Sequence, residues 1–342
     1  MSRRCSSTSV LQCCGYALHW LPRMFSMTAV AWGTCSHIAY TAALELSVAH
    51  YLLLVIGVFS GVCAEIAYFR TYFVGPGSPR EFPELYPGSD AEQAVGFDPL
   101  AVPEVLQSAV EAKNDGGVRF CNKCRVFKPD RAHHCRQCGF CVLRMDHHCI
   151  WFSCCVGLHN HKFFLQFLVY VSLLCLSAFV TAVPLVMRFF DAHRYAHEFM
   201  SINFVFYTVL SGVFSLVLPA FTAYSLYNAA VNRTTLESLE GGAYRTALPA
   251  SQWRYRRPPS RDNLGNVYDI GVVPNLDQVL GESWVDWLLP VRSDLPVNGT
   301  KFPVNEAMRA QAEERAQTEV AMHRRKQQQS HERSQERYLP SE

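Results

Sequence analysis

Eight cysteines and four histidines lie between Cys121 and Cys155, in a chain with 14 cysteines and 13 histidines among 342 residues. Thiols and imidazoles at this density are donors for zinc, which takes four in a tetrahedron and often draws them from C-x-x-C pairs. Cys121-x-x-Cys124, Cys135-x-x-Cys138 and Cys138-x-x-Cys141 are three such pairs, overlapping at Cys138. With His134, His148 and Cys155 they make eight donors, enough for two ions. Two full sets would be structural, whereas a zinc hydrolase needs a three-ligand centre open to water. The count leaves Cys149 and Cys154 over.

Cys149 closes the tetrad Asp146-His147-His148-Cys149. A cysteine attacks as its thiolate; a histidine can take the proton, and a carboxylate can hold the imidazole in the required tautomer. In extended backbone, residues two apart share a side. His147 would then face Cys149 while His148 turns toward metal. The arginines and lysines around the cluster also suit a zinc knuckle on nucleic acid, or an anionic lipid surface.

Long apolar runs flank the cluster on both sides. The chain is 49% hydrophobic and 18% charged, against roughly 25% charged in soluble domains. A span needs about 20 apolar residues, which predicts four: 24–44, 48–69, 163–187 and 202–227. Basic residues collect in 70–162 and after the fourth span, with few in the 188–201 loop. The excess of positive charge puts both termini and the cluster in the cytosol, where thiols stay reduced and free to bind metal. A module held at a membrane is badly placed to read DNA, so nucleic acid is not an expected partner. On this topology the glycosylation-type triplets at Asn232 and Asn298 are idle. Cys5, Cys13 and Cys14 are candidate lipidation sites.

The predicted organisation is a cytosolic lead (1–23), two spans (24–69), a connector (70–118), the zinc module (119–162), two more spans (163–227), a cytosolic C-terminal segment (228–300) and a charged tail (301–342), helical or disordered. The fold class is all-α and integral to the membrane, with the two-zinc module between spans two and three. Asn232 and Thr234 are both candidate caps for a helix starting there, and Thr234 to Glu237 has capping-box spacing. Trp284 and Trp287 suit a membrane interface.

The cluster resembles the cysteine-rich domain of the DHHC protein S-acyltransferases, which palmitoylate cytosolic cysteines. The likeness rests on Lys128-Pro-Asp-Arg131, His134-Cys135, the tetrad, Trp151, Cys155-Val-Gly157 and Asn160. It extends to Gly75-Pro-Gly77, where the family has Asp-Pro-Gly, to Thr234-Thr-Leu-Glu237, and to Tyr268-Asp-Ile-Gly271 with Asn275. The resemblance implies one zinc on Cys121, Cys124, His134 and Cys141 and a second on Cys135, Cys138, His148 and Cys155. It makes Cys149 the nucleophile, His147 its base and Asp146 the orienter, with Thr235 bracing Asp146 and Asn275 satisfying backbone groups. The acyl donor would be a long-chain acyl-CoA such as palmitoyl-CoA, its phosphates met by Lys128, Arg131 and His133. Acceptors would be cysteines of cytosolic or membrane-associated proteins, at the Golgi, endoplasmic reticulum or another endomembrane. Two departures stand out. Ile150 replaces the proline that usually follows the cysteine, which predicts a looser nucleophile. Ser153-Cys154 stands where the family tends to have asparagines. A non-catalytic membrane scaffold that docks partner proteins through its zinc module is the alternative that Ile150 keeps open.

Overall fold

A computed structural model describes residues 10–44, 47–87, 103–113, 118–191, 199–246 and 259–336, with backbone alone for 10–19 and 332–336. Cys5 lies outside this set, and Cys13 and Cys14 lie where side chains are not described.

Four long helices carry the predicted apolar runs: α1 (Val10–Ala42), α2 (Val48–Val74), α3 (His161–Asp191) and α4 (Ile202–Ala230). Among the described residues, α2, α3 and α4 are long and apolar enough to cross a membrane. The predicted first span lies on α1, which is not among those three. Arg23, His37 and a scatter of serines, threonines and glycines dilute it. α1 nevertheless packs on α2 and α3, with Val30 against Cys63, Ala64 and Leu174. His37 is fully buried and bonded to the Tyr207 hydroxyl (3.1 Å) and to the Leu53 carbonyl (3.0 Å). α3 is the most buried of the three candidate spans and lies at the centre of the bundle.

The fold is mostly helical, but the all-α expectation misses the module between α2 and α3. The module is a chain of antiparallel two-stranded ribbons: β2 (Phe120–Cys121) with β3 (Val126–Phe127), β4 (His133–Cys135) with β5 (Phe140–Val142), and β6 (His147–Cys149) with β7 (Cys154–Val156). Strands of two or three residues cannot form a core of their own, so bonds to the helices hold them in place. Asn160 Nδ2 donates to the Thr71 carbonyl of α2 (2.9 Å) and to the Cys155 carbonyl (3.0 Å). In the Gly75-Pro-Gly77 turn, Gly77 has φ +82° and its carbonyl receives the Leu143 amide (3.2 Å). A Cβ on Gly157 would sit 2.8 Å from the carbonyl oxygens of Leu143 and Pro76, so only glycine lets these strands close.

After α4 the chain returns to the module. β8 (Ala243–Tyr244) pairs with β1 (Glu111–Ala112) from the connector. The short helix α5 (Thr235–Leu239) starts at a capping box closed by Thr234 and Glu237. α6 (Val272–Leu280) packs on α4 and α3. α7 (Trp284–Leu288) lies along α3, where Gln166 Nε2 donates to the carbonyls of Asp286 and Leu289 (both 2.8 Å) and Lys162 pairs with Asp286 (3.1 Å). Trp284 points outward, and the indole of Trp287 donates to the Gly281 carbonyl (2.7 Å). α8 (Glu306–Glu336) is the charged tail, a largely solvated helix.

Candidate active site and metal centres

Two donor clusters form, each within 4.8 Å across: Cys121, Cys124, His134 and Cys141, and Cys135, Cys138, His148 and Cys155. In a tetrahedron with Zn–S about 2.3 Å and Zn–N about 2.0 Å, sulfur and nitrogen lie about 3.5 Å apart. His134 Nδ1 lies 3.5, 3.3 and 3.8 Å from the sulfurs of Cys121, Cys124 and Cys141. His148 Nδ1 lies 3.5, 3.4 and 3.6 Å from Cys135, Cys138 and Cys155. Thiols this close cannot all ionise unaided: burial and its neighbours push Cys141 up, and Cys138 and burial push Cys155 up. A divalent cation between them resolves the conflict, so the donor sets fit a tetrahedral metal. The ribbons make the clusters by register, with His134 opposite Cys141 and His148 opposite Cys155.

On β6 the alternation separates two tasks. His148 turns to the metal cluster, and His147 and Cys149 lie on the other side. His147 Nδ1 is 2.7 Å from Asp146 Oδ2, and Cys149 follows two residues on along the same strand. Asp146 is buried; its Oδ1 accepts the Thr235 amide (2.7 Å) and its Oδ2 the Thr235 hydroxyl (2.9 Å). Burial opposes charge on Asp146, but His161, His147 and the Thr235 amide outweigh it and hold the carboxyl well below the usual range. Burial also opposes charge on His147, yet Asp146 and Cys149 push it up to about 9. The ring leans edge-on against Phe164, centroids 5.0 Å apart. Cys149 itself is buried in an apolar cluster with Tyr68, Phe152, Phe164 and Leu168, at the junction of module and helices.

Ile150 points outward, and the turn from Ile150 to Ser153 is held from the helices. Arg23 of α1 donates to the carbonyls of Phe152 and Ser153 (3.0 Å each), and the Tyr68 hydroxyl of α2 donates to the Trp151 carbonyl (2.8 Å). Arg23 in turn stacks over Tyr72, 4.2 Å from the ring centre, and Tyr68 stacks on Phe152 at 4.6 Å. Sequence reasoning missed both residues. The lone arginine just before the first apolar run was the only signal for Arg23, and Tyr68 had none. Tyr68→Phe keeps the ring and orphans the Trp151 carbonyl, a loss of about 1 kcal/mol. The expected result is a several-fold slower self-acylation at unchanged metal content, read from initial rates of thioester formation.

The coenzyme contacts need one correction. Arg131 is fully buried, with Nε and Nη2 on the two carboxylate oxygens of Glu237 (2.7 and 2.9 Å) and Nη1 on Asn232 Oδ1 (2.8 Å). Tyr268 and Phe302 cover its guanidinium at 4.6 and 5.2 Å, leaving no face for a phosphate. Lys128 is half-exposed, and His133 lies beside Arg119 at 3.3 Å. Burial and Arg119 push His133 down to about 4, so it offers a hydrogen bond and no charge. Asn232 donates its amide to the Tyr268 carbonyl (2.8 Å) and to Gln278 (3.1 Å) while fully buried, which closes it to glycosylation. Asn275 donates to the Ala230 carbonyl (2.8 Å) and accepts the Ile270 amide (3.1 Å).

Residues 114–241 match the family model described as DHHC palmitoyltransferase. The chain is similar to Palmitoyltransferase PFA3 of Yarrowia lipolytica, 37% identical over 281 residues, covering 78% of this chain and 70% of that protein. It is also 33% identical over 321 residues to the protein of the same name from Debaryomyces hansenii, covering 82% and 79%. Against that of Saccharomyces cerevisiae it is 33% identical over 227 residues, covering 66% of each.

Proposed function

The chain belongs to the DHHC palmitoyltransferase family, and from that we propose how this protein palmitoyltransferase works: Cys149 carries the acyl group as a thioester between donor and acceptor. The observation behind this is that Cys149 stands outside both metal clusters and two residues from His147, whose Nδ1 is held by Asp146, itself braced by Thr235.

The donor is a long-chain acyl-CoA. His147 takes the Cys149 proton, the sulfur attacks the thioester carbonyl, and the tetrahedral adduct expels the coenzyme thiolate, which leaves with that proton. In the second half-reaction His147 takes the proton of an acceptor cysteine. That sulfur attacks the acyl-enzyme, and Cys149 is released as a thiol. Asp146 fixes the His147 tautomer throughout. The apolar cluster around Cys149 opens the way for the acyl chain between the helices, where each buried methylene is worth about 0.8 kcal/mol. Lys128 and His133 are the side chains offered to the coenzyme's phosphates.

The two ions are structural zinc on the sets named above, and their removal unfolds the ribbons. α1 is the fourth span, both termini face the cytosol, and the enzyme works on an endomembrane. The packing of α1 on α2 and α3 supports the first of these.

Purified full-length protein incubated with clickable palmitoyl-CoA should acquire a hydroxylamine-labile label that Cys149→Ser abolishes. Label at wild-type level in Cys149→Ser, with metal content intact, would overturn the assignment. Metal analysis of the same sample should give two zincs per chain, the number of donor sets. Chelation should remove them together with the activity.

A further inference from the structure

Cys154 is a partly buried thiol with no part in the mechanism above and no place in either metal cluster. In the β6–β7 ribbon it stands directly opposite Cys149. Directly opposed residues in an antiparallel pair project to one face, with Cα atoms about 4.5–5.5 Å apart. Disulfides form over Cα separations of about 4.4–6.8 Å. Both kinds of antiparallel pair therefore fall inside the bridging range. The opposite face of the same ribbon carries His148 and Cys155, committed to metal. Both thiols also pack on the apolar cluster around Tyr68 and Phe152. The intervening turn is already held by Arg23 and Tyr68, so closing the ring adds little ordering.

We propose that Cys149 and Cys154 form a reversible cross-strand disulfide that takes the nucleophile out of service under peroxide and protects it from irreversible oxidation. This rests on the reading of Cys149 as the acyl carrier. The Cys149 thiolate attacks one oxygen of hydrogen peroxide; the O–O bond breaks, and with one proton taken up the products are the sulfenic acid and water. The Cys154 sulfur then attacks the Cys149 sulfur and expels hydroxide, which leaves as water with the Cys154 proton. A dithiol reductant reverses the bridge by two exchange steps, becoming a disulfide itself and returning both protein thiols. Cytosolic disulfides are in general transient and regulatory. Cys154 would act as the resolving cysteine in such a pair.

The test uses purified full-length protein with its metal measured before and after treatment with hydrogen peroxide. Free thiols are alkylated, and the tryptic peptide 145–162 is weighed and fragmented. The wild-type peptide should lose two hydrogens, with the bridge between Cys149 and Cys154 and the alkyl group on Cys155. Metal content should hold. Labelling by palmitoyl-CoA should drop about tenfold or more and return with dithiothreitol. In Cys154→Ser, and equally in Cys154→Ala, dimedone should trap a sulfenic acid on Cys149, and prolonged peroxide should leave labelling that dithiothreitol does not restore. A bridge that includes Cys155 with loss of metal would overturn the proposal. So would recovery of the Cys154 variants equal to wild type. If the Cys149–Cys154 bridge forms and labelling persists, the acyl-carrier reading fails and the bridge stands, so the two failures are distinguishable.

Discussion

Asp146→Asn is expected to slow acyl-enzyme formation by roughly 10²–10⁴-fold at unchanged metal content. The argument is one of donors and acceptors. Asp146 Oδ1 receives the Thr235 backbone amide, which can only donate, so an asparagine must keep its oxygen there. Its NH₂ then occupies the Oδ2 position, facing His147 Nδ1. Two donors cannot share that contact, and the imidazole shifts its proton to the other nitrogen, the one that should accept from Cys149. The Thr235 hydroxyl, also on Oδ2, can rotate and accept instead. The fold therefore survives while the base is lost. Single-turnover labelling with palmitoyl-CoA across pH checks this. A rate within about threefold of wild type would remove Asp146 from the proton path.

Glu237→Gln should destabilise the protein by about 3–5 kcal/mol, the cost of leaving a buried partner charge uncompensated. Glu237 accepts two bonds from the fully buried Arg131, lies 3.7 Å from Arg261, and receives the Thr234 amide at the head of α5 (2.9 Å). Thr235 is the next residue, so the same defect loosens the brace on Asp146. Replacing both partners by apolar residues, Arg131→Met with Glu237→Leu, should cost less than Glu237→Gln alone, because Arg131 is no longer stranded and Arg261 keeps Glu111 (3.5 Å). Denaturant titration in detergent with metal present compares the three proteins. The carboxylate also sets an acid limit. Burial opposes its charge, but Arg131 and Arg261 outweigh burial and pull it from its ordinary 4.5 down to about 2. A carboxylate lowered in the folded state stabilises fully above its unfolded value and loses that contribution as pH falls toward the folded value. The gap between wild type and Glu237→Gln should thus be full above about pH 5 and close between there and about pH 2. A gap independent of pH over that window would mean that the charge of Glu237 contributes nothing.

Both results turn on a junction that the sequence shows only in fragments. The Thr234-Thr-Leu-Glu237 and Tyr268-Asp-Ile-Gly271 motifs are visible as text, and their likeness to a family marks them. That Glu237 grips Arg131, that Asn232 bonds Arg131, Arg144, Tyr268 and Gln278 at once, and that Tyr268 roofs the guanidinium are facts of packing. Reading Arg131 as a phosphate contact was the natural error. A free arginine in a basic stretch and one sealed against a distant glutamate have the same local sequence.

The sequence by itself determined the donor inventory, the surplus of Cys149 over two metal sets, and the long apolar runs on either side. Those follow from residue type and short spacing, because metal coordination and strand alternation are local rules. The four-span reading reached further than three apolar helices and one diluted companion. Only the tertiary structure decided that Arg23, 129 residues from the Phe152 carbonyl, and Tyr68, 83 residues from the Trp151 carbonyl, hold the nucleophile's turn. It alone set Cys154 across from Cys149, since register depends on the length and shape of the turn between the strands. Such contacts join residues with no periodic relation in the chain, and their energies come from burial, which exists only once the helices have assembled around the module.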